Sequence, residues 1–148
     1  LTIIDNATLQ PGLNLLAISV HQTATGSSDL GFDLKLSGDP ILVDENSSDW
    51  AVLNTIDPAG NGYDPVTGHT SQAADADFNA TWKNQTFGGY TGVAYDGPSF
   101  ATGQQAPFAY GDIDGMPSPN TVLPTPSSGS RHTEYFIKEI DGETTGFK

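Results

Sequence analysis

Residues 13–36, LNLLAISVHQTATGSSDLGFDLKL, alternate apolar and polar side chains in two runs. In the second run Leu30, Phe32, Leu34 and Leu36 share one face, and Gly31, Asp33 and Lys35 share the other. In the first, Leu16, Ile18 and Val20 lie opposite Ala17, Ser19 and His21. A period of two marks a strand half buried against a core. Between the runs, residues 23–29 are rich in Ser, Thr and Gly, which turn the backbone or hydrogen-bond to it. A chain organised around two such runs is committed to sheet. The pattern speaks to architecture and names no reaction.

The rest of the chain continues in short strands and long turns. Residues 1–4 are an apolar run suited to an edge or exchanged strand, and 5–8 and 10–12 read as turns. A short strand at 41–43 precedes an acidic, polar loop at 44–49, the best candidate boundary within the chain. Residues 50–56 and 90–95 read as strands. Between them lie a Gly- and Pro-rich loop at 57–77 and a polar stretch, 78–87, that holds Trp82. Phe100 reads as an anchor, 107–111 as aromatic packing on the core, and 112–130, with four prolines, as an extended loop. Residues 134–140 alternate as a closing strand, with a hairpin turn expected at Asp141-Gly142. No apolar set recurs at helical spacing over three turns, and 17 Gly and 10 Pro interrupt nearly every window. The expected fold is an all-β sandwich with no helix.

Charge and composition narrow the function. Eighteen acidic residues against five basic give a formal charge of −13, a surface that repels phosphate backbones and anionic lipid. Nucleic acid is therefore excluded as a partner. No apolar run reaches transmembrane length, so membrane insertion is not expected. With no cysteine there is no thiol catalysis, disulfide or Cys-based zinc site. The chain starts at Leu1 rather than Met and carries no signal peptide, so a processed product or a part of something longer is expected.

Two groups of residues resemble a known family. Pro11-Gly12-Leu13-Asn14-Leu15-Leu16-Ala17-Ile18-Ser19-Val20-His21-Gln22, then Ser27-Ser28-Asp29-Leu30 and Phe32-Asp33-Leu34, resemble the closing strands of a galactose-binding-like jelly-roll module. Such modules recur in large secreted bacterial proteins. Downstream, Ser48-Asp49-Trp50, Tyr95-Asp96-Gly97-Pro98-Ser99-Phe100, Pro107-Phe108, Tyr110-Gly111-Asp112 and Glu134-Tyr135-Phe136-Ile137-Lys138 resemble its opening part. Phe100 stands where Trp is common in the family. Ile137 stands where Arg is common, which weakens any inherited cationic role there. The usual middle strand pair has no counterpart. The resemblance implies closing strands in 1–44 and opening strands with long loops in 45–148. Three arrangements fit that order: a window across tandem modules, a permuted or shortened sandwich forming one composite domain, or a sandwich completed by strands of a neighbouring subunit. An incomplete sandwich exposes strand edges, and head-to-tail contacts that do not close make filaments.

The residues that bear chemistry are few. Asn6, Asn46, Asn79 and Asn84 head N-x-[ST] sequons and are glycosylation candidates, and the tract 117–130 suits O-glycans. Asp112 and Asp114 form a short carboxylate pair ahead of Gly115, and Asp44, Glu45, Asp49, Asp75 and Asp77 are sparser acidic groups. The resemblance implies that a structural calcium could be held in such a loop, although the EF-hand spacing is missing. His21, His69 and His132 are scattered, with no nucleophile elbow or zinc-binding pair, and His21 suits a structural hydrogen bond. Jelly-roll modules bind glycans on aromatic platforms. Trp50, Trp82, Tyr90, Tyr95 and Tyr110 are the aromatics to weigh, and Trp82 is the stacking candidate. The expectation is a non-enzymatic, extracellular or cell-surface structural or adhesive subunit that associates head-to-tail with copies of itself. The alternative is a carbohydrate-binding module of a larger secreted protein.

Overall fold

The structure, a computed structural model, describes residues 12–21, 30–36, 43–54, 66, 76–84, 100–115, 118–125 and 133–142. Its strands are β1 (Gly12–His21), β2 (Gly31–Phe32), β3 (Trp50–Asn54), β4 (Ala101–Gln104), β5 (Phe108–Ala109), β6 (Thr121–Val122) and β7 (Thr133–Gly142). Among the described residues they form two sheets, one ordered β1-β7-β3-β4 and the other β2-β5-β6. All the pairings are antiparallel except β5 with β6. The architecture is all-β.

The period-two pattern explains how the large sheet works. On β7, Phe136 and Ile140 point to one face, where they join Trp50 and Val52 of β3 and Leu16, Ile18 and Val20 of β1. This inner face packs against Leu30, Val43, Phe108 and Leu123, with Phe32, Leu34, Leu36 and Tyr110 at its margin. Phe136 lies 4.5 Å from Phe32 and 5.0 Å from Phe108, ring centre to ring centre, and Trp50 meets Phe108 edge-on at 6.0 Å. Leu30, Phe32, Leu34 and Leu36 therefore share a core, as their alternation implies, although only Gly31–Phe32 pairs as a strand and Leu36 bridges Val43.

The outer face of the same sheet is buried too. Ala51, Leu53, Tyr135 and Ile137 make a second core with Phe78, Trp82 and Phe100, flanked by Leu15, Ala17 and Val66. Its cover is α1 (Ala76–Thr81) and a following 3₁₀ turn, Trp82–Asn84. This corrects the expectation of no helix. Phe78 and Trp82 are four residues apart, so they fall on one side of a helical turn and reach the sheet together. Burial on Tyr135 then supplies the stability that a helix of six residues lacks on its own.

Two further expectations are corrected. Asp141 and Gly142 do not turn; they continue β7 and pair with Leu13 and Gly12. Within 112–130, Thr121 and Val122 form β6 rather than loop. The sequence runs 13–21 and 30–36 also part company, since β1 belongs to the large sheet and β2 to the small one. β1 pairs in the same chain with β7 through ten consecutive partners, Gly12 with Gly142 to His21 with Thr133. Strands from either side of residues 44/45 thus share both sheets. Residues 1–4, 37–42 and 90–95 lie outside the described residues.

Candidate functional site

Three places gather unusual side chains: the outer side of β1, its C-terminal end, and a loop cluster beside β3. β1 is an edge strand among the described residues. Its ten residues, GLNLLAISVH, contain no Asp, Glu, Lys or Arg and no Pro. Leu15 to Val20 are only partly buried, with apolar groups on both faces, and Leu13 is 60 % exposed. Long, uncharged edges of this kind are what proteins ordinarily protect with charge, proline or bulges. The opposite edge has such protection. β4 is four residues long, its register with β3 shifts between Trp50 and Val52, and Gly103 within it takes φ of +70°. That backbone angle suits glycine and bends the strand out of line.

At the C-terminal end of β1, His21 Nδ1 lies 2.9 Å from Thr133 Oγ1 and Nε2 lies 3.1 Å from Ser19 Oγ. The hydroxyl–imidazole–hydroxyl chain ties β1 to β7 at their last pair, and Thr133 is buried there. Next to it Glu134, the buried charged side chain of the described residues, faces the inner core. Tyr110 responds: burial first, and the Glu134 charge second, push its phenol well above the usual range. Its neighbours Thr133 and Tyr135 are buried as well, and its place two residues from Phe136 sets it on the inner face.

The loop cluster joins residues 44–49, 104–107 and 118–121. Gln105 Nε2 donates to the Asn46 carbonyl at 3.2 Å, Asn120 Nδ2 to the Ala106 carbonyl at 2.6 Å, and Thr121 Oγ1 to the Gln105 carbonyl at 2.8 Å. Trp50 Nε1 donates to Ser47 Oγ at 3.0 Å. Lys138 donates to the Ser48 carbonyl and lies 5.7 Å from the Trp50 ring centre, a cation–π contact. Burial lowers the Lys138 ammonium from its ordinary value, against the pull of Asp49. Asn46 is exposed in the turn beside these amides.

The sequence candidates fall as follows. Trp82 is 7 % exposed, its ring 6.2 Å from Phe78 and 4.8 Å from Tyr135, so its faces pack protein rather than sugar. Trp50 is wholly buried and Tyr110 half-buried, while Tyr90 and Tyr95 lie outside the described residues. Of the sequon asparagines, Asn46 is in an exposed turn, Asn79 in α1 and Asn84 in the 3₁₀ turn; Asn6 lies outside the described residues. Asp112 and Asp114 are exposed, and no group of three or more His or acidic residues suited to a metal occurs among the described residues. No described helix is long and apolar enough to cross a membrane. Scans against protein-family models, curated proteins and solved structures find no match.

Proposed function

We propose that this protein is a non-enzymatic structural or adhesive building block of an extracellular assembly, with a jelly-roll-like sandwich as its scaffold. The observation that carries the reading is β1: a ten-residue edge with no charged side chain in a chain of net charge −13. An acidic surface interrupted by a long, neutral, apolar strand edge is suited to association by strand addition. Addition replaces the exchange that the strand order suggested. Exchange would require β1 to give up ten partners on β7, whereas addition keeps them. Analytical ultracentrifugation and electron microscopy of the native material test the reading. Concentration-dependent assembly supports it, and compact monomers throughout overturn it.

The second reading, a carbohydrate-binding module, is favoured by the convergence of Asn46, Gln105 and Asn120 amides at one exposed place. Planar amides suit sugar hydroxyls. A glycan array with Gln105→Ala as control tests it: binding lost in that variant, with the fold intact by circular dichroism, would favour a module that reads sugars.

A further inference from the structure

Among the described residues the two edges of the large sheet are unequal, and their inequality bears on the symmetry of association. We infer that β1 pairs antiparallel with β1 of a second copy about a two-fold axis, an inference that rests on the assembly reading above. A head-to-tail contact would join β1 of one copy to a different edge of the next. Among the described residues the other edges are β4, which is short, irregular in register and bent at Gly103, and β2 and β6 of the small sheet, which are two residues long each. An isologous contact uses β1 twice and needs no second edge.

Charge points to the same occupant. Two chains that each carry −13 repel, and they approach at least cost where both are neutral. β1 offers such a stretch along its whole length. A partner of opposite charge would gain nothing from a strand without charges. Self-pairing also satisfies the side-chain layers. With the axis perpendicular to the sheet, inner-face residues oppose inner-face residues, so paired numbers sum to an even value. Two registers centre the strands, one with Leu16 opposite Leu16 and the other with Ala17 opposite Ala17. In the second, Leu16 of each copy meets Ile18 of the other, and Leu15 meets Ser19. Both extend the two cores across the axis and cover Leu16, Ile18 and Val20, which one copy leaves partly exposed. The product is a continuous eight-stranded sheet, four strands from each copy.

Sedimentation equilibrium of the full chain, together with oxidation of two single-cysteine variants, Leu16→Cys and Ala17→Cys, tests this. The chain has no cysteine of its own, so any cross-link reports the introduced thiol. The expected result is a species of twice the 15.5 kDa chain mass, with a disulfide-linked dimer in one of the two variants. A dimer that cross-links in neither variant overturns the β1 pairing and leaves the assembly reading standing. Polymers that grow past the dimer while still cross-linking overturn closure about the two-fold. Monomer at every concentration, as when the chain's own segments cover β1, overturns both.

Discussion

Phe136 is the side chain on which both sheets close, wholly buried with aromatic neighbours from β2 and β5. Phe136→Ala is expected to cost about 3–5 kcal/mol in urea unfolding, since the rings around it cannot collapse into the space. Trp82→Ala should cost a comparable ~3 kcal/mol, because its ring packs Phe78 and Tyr135. Any sugar-binding loss in that variant would therefore have to be separated from unfolding. Asp33 gives a prediction with a sign. Burial, opposed by the Leu34 N–H that its Oδ1 accepts and reinforced by Glu45 and Asp44, raises its carboxyl above the usual value. A raised carboxylate contributes stability below its unfolded value near 3.8, and that contribution is lost as pH rises through the folded one. Asp33→Asn keeps the acceptor and removes the charge. At neutral pH it should raise stability by up to about 0.5 kcal/mol, solvent screening the rest, and the gain should vanish below pH ~4 in thermal melts across pH.

Among the elements, β1 and β7 were readable because alternation reports a buried face, and β3 as a short apolar run buried on both faces. What alternation cannot report is the partner. Residues 13–21 and 30–36 share a pattern, yet they went to different sheets, and β1 found β7 more than a hundred residues away. The helix escaped for a different reason. Six residues cannot show a helical period over three turns, and the readable trace was the four-residue spacing of Phe78 and Trp82 alone. The candidate site was legible to a smaller degree. The sequence displays a neutral stretch at 12–21, but whether it lies at a sheet's centre or its edge is a property of the topology. His21 was legible as a residue suited to a structural hydrogen bond, and its contact with Thr133 closes the end of β1. Thr133→Val should cost about 1 kcal/mol and speed hydrogen exchange of the last amides of β1, leaving those near Leu15 slow.

For the whole molecule, net charge and the long neutral edge of β1 act against each other. Repulsion between copies is screened over about 8 Å at physiological salt and over far more in dilute buffer. Self-association should therefore weaken as salt is removed and strengthen as pH falls toward the sequence pI of 4.1, both measurable by light scattering. The pairing of Gly12 with Gly142 has a mechanical consequence. A pull applied at those two residues acts across the ladder and opens it one pair at a time, like a zip. A pull applied at His21 and Gly142 runs along the strands and must slide all ten pairs together. Single-molecule traces should show the first geometry yielding at much the lower force. A fibre of such units that carried tension through residues 12 and 142 would stretch by peeling, and would hold only if its load entered at another corner of the sheet.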